Sequence, residues 1–128
     1  MPGLEHMFDF SGKVAVVTGA AQGIGHAVAE AFLALGASVS PWDLNEGEWN
    51  EKPLSDEGKK RCFFLKVDVG DINEVARSMA QVHQHWGRID ILVCSAGIVH
   101  AEAFLNTDEA SFDKVYRVNV KGIFACNK

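Results

Sequence analysis

No apolar run in these 128 residues approaches the roughly 18 that a membrane-spanning helix needs, so no membrane partner is expected. Cysteine is scarce too. Cys62, Cys94 and Cys126 are odd in number and lack metal-ligand spacing, which argues against a disulfide framework or a metal site and for free thiols in a reducing cytosol. Cations are outnumbered, 12 Lys and Arg against 17 Asp and Glu, and the net charge of −5 leaves no basic face for nucleic acid. Residues 1–9 hold neither a basic n-region nor an apolar h-region, so no secretory signal is expected and the location reads as cytoplasmic. Internal repeats and low-complexity tracts are absent. What remains is ordinary for one soluble domain: 48% hydrophobic and 23% charged residues, in a chain long enough to bury a core.

The order of elements carries the first positive signal. Residues 1–10 read as a leader whose Phe8 and Phe10 pack on the first strand, and residues 11–128 as the domain. Residues 13–18 form a non-alternating apolar run, expected of a strand buried on both faces. A helix over 22–35 follows, with Ile24, Val28, Ala31, Phe32 and Leu35 on one stripe and Gly36 as its stop. Strand two covers 37–42 and ends at Asp43, but Pro41 lacks a ladder donor there, so either the strand stops early or a bulge forms. Residues 44–61 read as a solvated loop with at most a short helix, and 62–67 as strand three. Asp71 and Glu74 match a capping box opening a helix with Ile72, Val75, Met79, Val82 and Trp86 on one side and Gly87 at its end. Residues 89–94 are strand four. Thr107 is expected to cap a last helix, with Phe112, Val115 and Val118 on its apolar stripe. Strands separated by helical crossovers imply an α/β fold with a doubly wound parallel sheet.

In such a sheet, ligands sit beyond the carboxyl ends of the strands. Strand one ends in Thr18-Gly19 and runs through Gln22, Gly23, Ile24 and Gly25 into the helix. Small residues let backbone approach a pyrophosphate, and a helix N-terminus presents free N–H groups to it. Asp43 falls 18 residues after Gly25, where a carboxylate can accept hydrogen bonds from an adenosine ribose; alternatively it caps a turn. No arginine at 44–46 would offset its repulsion of a 2′-phosphate, so NAD is expected over NADP, with Leu44 beside it. Asp68-Val69 ends strand three, and Asp68 either accepts from an adenine amino group or caps the next helix. Ser95, Ala96 and Gly97 follow strand four and offer close backbone approach. His26 and His100 border this crevice as surface or hydrogen-bonded residues, while His83 and His85 point apart on one helix and share no metal. Cys94 reads as a small buried hydrophobe.

Thr18-Gly-Ala-Ala-Gln-Gly-Ile-Gly25, Asp43, Asp68-Val69, Ala96-Gly97 and Val118-Asn119-Val120 together resemble the short-chain dehydrogenase/reductase family. The resemblance runs from about residue 8 to the last. It implies a Rossmann-type sheet, an NAD(P)(H) cofactor, hydride transfer on a secondary alcohol or ketone, and a homo-oligomer in the complete family member. It also implies that Asn119 is the catalytic Asn that interrupts its helix and helps hold a water in a proton relay.

Two features depart from the family pattern. Cys94-Ser95 stands where the family has Asn-Asn, and serine has the hydroxyl without the reach of that amide. The family's Tyr-x-x-x-Lys is also missing: the single tyrosine, Tyr116, precedes Asn119 and reads as a packing residue. The chain therefore reads as the cofactor-binding half, truncated after the fourth strand and its following helix. Expected alone, it shows no dehydrogenase turnover; the alternative is a catalytically inactive truncated product that binds NAD or pairs with a longer partner.

Overall fold

The structure is a computed structural model and describes residues 7–51 and 53–128. Its centre is β1 (Val14–Thr18), every residue of which is buried. β2 (Ser38–Asp43) pairs with β1 on one side, β4 (Ile91–Cys94) on the other, and β3 (Leu65–Lys66) lies beyond β2, giving the all-parallel order β3-β2-β1-β4. The alternation of β1 feeds two cores. Val14 and Val16 face one with Trp42, Val67, Val75 and Val82; Ala15 and Val17 face the other with Ala29, Leu33 and Val39. Helices α1 (Gly23–Ala34) and α3 (Ile72–Trp86) therefore cover opposite faces, as expected of a doubly wound α/β sheet. Phe10 belongs to the second core, edge-on to Phe32, whereas Phe8 is exposed. The rest of the expected leader, residues 1–6, lies outside the described residues.

Helix α1 ends as expected, with Gly36 N–H donating to Leu33 and Ala37 N–H to Phe32 in a Schellman pattern. Its buried face, however, is Gly25, His26, Ala29 and Leu33, while Ile24 is 80% exposed and Ala31 also faces out. Small residues let α1 lie close on the sheet, and that rotates the larger apolar side chains toward its flanks.

Pro41 neither ends β2 nor makes a bulge; the register runs unbroken through Val17↔Pro41 and Thr18↔Trp42. Val39 and Asp43 bond toward the β3 side, so Pro41, between them, faces that side as well. The Ser40 hydroxyl donates to Phe63 O at 2.7 Å and takes the place of the missing N–H, and Trp42 Nε1 donates to Ser40 Oγ at 2.9 Å. β3 is shorter than expected, with an isolated bridge from Val39 to Cys62 preceding it.

Residues 44–61 are, as expected, mostly loop with one short helix, to which a 3-10 turn is added. They hold a 3-10 turn at Gly47–Asn50 and helix α2 (Asp56–Lys60), capped by Ser55. In the expected capping box, Asp71 takes the N–H groups of Asn73 and Glu74, but Glu74 reaches to Asp68 N–H instead of returning to Asp71. Asp108 caps α4 (Glu109–Tyr116), not Thr107, because the carboxylate accepts from Ser111 N–H at 2.8 Å and Thr107 closes the preceding turn, Phe104–Asn106. A π turn, Arg117–Lys121, joins α4 to α5 (Gly122–Asn127). No helix among the described residues is long and apolar enough to cross a membrane.

Candidate functional site: a cleft at the carboxyl ends of the strands

The four strand ends open on one cleft of about 380 Å³. All twelve residues expected to bind a cofactor line it: Gly19, Gln22, Gly23, Ile24 and Gly25 from the turn, Asp43 and Leu44 after β2, Asp68 and Val69 after β3, and Ser95, Ala96 and Gly97 after β4. Val67, Ile98 and Val118 complete the wall.

The turn is held by four hydrogen bonds. Ala20 N–H donates to Trp42 O and Ala21 N–H to Asp43 Oδ2, at 3.0 and 2.9 Å. Their carbonyls accept from Trp49 Nε1 and Glu48 N–H, at 2.7 and 2.8 Å. The N–H and C=O groups of Ala20 and Ala21 are thus all paired within the protein. Gly19 sits at φ +65°, and a Cβ there would lie 2.6 Å from Ala96 Cα, so the β1 and β4 turns meet only because residue 19 has no side chain. A Cβ on Gly25 would collide with the Gly19 carbonyl, which fixes how closely α1 approaches the turn. The N-cap of α1, Gln22, makes no side-chain cap hydrogen bond, and the first turn of the helix carries no acid. The helix end facing the cleft therefore favours an anion.

Asp43 is half-buried. Its Oδ2 braces the turn and its Oδ1 accepts from Leu44 N–H at 2.8 Å, leaving each oxygen a further lone pair. The Asp68 carboxylate accepts from Gly70 N–H at 2.8 Å and from Arg117 Nη1 at 3.0 Å. Helix capping, the alternative for Asp68, belongs to Asp71. Arg117 was not singled out in the sequence, since a helical arginine between apolar positions reads as a solvated cation.

The β4 turn is braced without the family's Asn. Thr18 Oγ1 accepts from Ala96 N–H at 3.1 Å and ties the ends of β1 and β4 together. Asn119 lies in the π turn, the expected helix interruption, and its amide binds both backbone groups of Ile98. Burial pushes the Cys94 thiol up, and Cys126 to about 12, raised by burial first and by its neighbour Cys94 second. Neither is an activated nucleophile.

His26 is not at the surface. It is 3% exposed, packed against the Trp49 ring, with Nε2 3.3 Å from Glu30 and 3.5 Å from Glu48. His100 pairs with Glu102 at 2.9 Å on the exterior, and no group of three metal-ligating side chains exists among the described residues. Tyr116 is half-exposed, its ring stacked on Phe112 at 6.2 Å, so it is a surface residue more than a packing one.

The family model for short chain dehydrogenase matches residues 13–128. The chain belongs to the short-chain dehydrogenase family. Among curated members, a (+)-cis,trans-nepetalactol synthase of Nepeta racemosa is 36% identical over 121 residues, which is 91% of this chain and 45% of that protein. Human 15-hydroxyprostaglandin dehydrogenase [NAD(+)] is 36% identical over 118 residues, 90% of this chain and 41% of that one. A short-chain dehydrogenase/reductase from Brucella melitensis, described as a glucose/ribitol dehydrogenase, superposes with a TM-score of 0.84 at 30% identity, over 94% of this chain and 51% of that structure. This short-chain dehydrogenase chain thus spans about half the length of the relatives it matches.

Proposed function

We propose that the cleft binds NAD in preference to NADP, and that the protein serves an oxidoreductase transferring hydride between the nicotinamide and a secondary alcohol or ketone. The observation that carries this reading is the turn after β1: Ala20 and Ala21 are fully paired within the protein, while the α1 N-terminus, with no side-chain cap, lines the cleft. A pyrophosphate fits that cradle because Gly19 and Gly25 leave no side chain in its way. Asp43 has the lone pairs to accept from ribose hydroxyls, and its charge disfavours a 2′-phosphate; Glu46 nearby adds no cation to relieve it. The human relative, by name an NAD(+) dehydrogenase, accords with this. The bound dinucleotide supplies the hydride acceptor or donor. Asn119 is the residue of this chain assigned to the proton relay, since each polar atom of its amide keeps capacity beyond the bond to Ile98.

Binding and turnover separate in this reading. Tyr116 is followed four positions on by Val120, so these 128 residues hold no Tyr-x-x-x-Lys. The 128-residue chain should bind NADH and produce none from a panel of secondary alcohols. The three free thiols suit a reducing compartment, and we place the protein in the cytoplasm. The test is a paired titration with NADH and NADPH followed by nucleotide fluorescence. At least about tenfold tighter NADH binding is expected, the effect of one unfavourable charge contact. Equal affinities would remove the role of Asp43, and no binding of either would overturn the cofactor reading.

A further inference from the structure

Arg117 opens the π turn, and its guanidinium lies over Gly70 in the space that a side chain at 70 would fill. From there Nη1 reaches Asp68 Oδ2 at 3.0 Å, across 49 residues of chain. The backbone of Asp68 is already pinned, its N–H to Glu74 Oε1 at 3.1 Å and its carbonyl by Asp71 N–H at 3.0 Å. Its side chain has one local tether, Gly70 N–H on Oδ1. Arg117 is the distant second. It decides both how the carboxylate is turned and how much charge the cleft wall carries.

That charge matters because Asp43 and Asp68 line the same cleft. A dinucleotide brings two phosphate charges, and two uncompensated carboxylates would repel it. We propose that Arg117 is a positioning residue for the adenine end of the cofactor: it holds the Asp68 carboxylate where an adenine amino group can donate to it, and cancels the charge Asp68 would otherwise present. The inference rests on the cofactor reading above. The planar fork of arginine suits the task better than the point charge of lysine, which would keep the neutralisation and lose part of the orientation.

The experiment is an NADH titration of the unaltered protein, R117M, R117K, D68N and the D68N/R117M double variant, with a urea melt of each. R117M should weaken NADH binding about fivefold, the magnitude of an ion pair between half-exposed partners. R117K should recover more than half of that loss, and R117M should cost nothing further in the D68N background. Unchanged binding by R117M overturns the proposal. So do losses that multiply in the double variant, or an R117K that binds as poorly as R117M while both melt early, since those outcomes mean a structural role only. If the unaltered protein does not bind NADH, the cofactor reading fails first, and that result is distinct from all the others.

Discussion

Asn119 and Ile98 exchange two hydrogen bonds: Asn119 Oδ1 accepts from Ile98 N–H at 2.8 Å, and Nδ2 donates to Ile98 O at 2.9 Å. The amide acts as a strand partner for one residue, fastening the segment after Gly97 to the π turn. Asn119→Ala removes both bonds and leaves two half-buried backbone groups unpaired, and should lower the unfolding free energy by about 2 kcal/mol. Asn119→Asp should be no milder, because it sets an oxygen against the Ile98 carbonyl. Urea melts of the two variants check this, and a wild-type midpoint for either would refute the brace.

Thr18 is 1% exposed and takes Ala96 N–H on its hydroxyl. Thr18→Val keeps the shape and removes the acceptor, at an expected cost of about 1–2 kcal/mol. Thr18→Ser should stay near the parent. Comparable losses in both variants would show that the methyl group matters and the hydrogen bond does not.

Trp49 ties the 3-10 turn to the cofactor turn through the Ala20 carbonyl. Trp49→Phe keeps a ring against His26 and deletes the donor, costing about 1 kcal/mol. Amide exchange at Glu48, whose N–H bonds to Ala21 O, should quicken at the same time. Unchanged exchange there would mean that the segment is held by other contacts.

Burial pushes Cys62 up to about 11 and Cys126 up to about 12, from an ordinary 9.0. Between those limits the unfolded chain releases the protons before the folded chain does, so stability contributed by the neutral thiols is complete below pH 9 and is lost as pH climbs. Native protein at pH 8 should therefore react slowly with iodoacetamide at both positions and rapidly in urea. In a Cys62→Ala/Cys126→Ala variant, stability should fall less steeply above pH 9. Fast native labelling would contradict the burial.

The cleft was legible in the sequence because its signals are local. A strand end, a glycine turn and a helix start lie within a few residues of one another, an acid follows 18 residues on at the next strand end, and the parallel topology then brings the four ends together. Contacts made across the sheet by polar segments left no such trace. The docking of Trp49 on Ala20 comes from a stretch with no periodicity, and Arg117 reaches Asp68 only because a π turn aims it there. The stripe of α1 was misplaced because side-chain size was read as depth, whereas Gly25 and Ala29 lie deepest by being small. For His26 the sequence left surface and hydrogen-bonded positions open, because nothing nearby in sequence announces the Trp49 ring that covers it.

The hydroxyl of Ser40 standing in for the N–H of Pro41 makes these two positions epistatic. Ser40→Ala alone strands the Phe63 carbonyl and the Trp42 indole together. With Pro41→Val already present, the backbone supplies a donor to the Phe63 carbonyl, and Ser40→Ala then strands the Trp42 indole alone. Substitutions at 40 and 41 should therefore be non-additive, on the strand that carries Asp43 to the cleft.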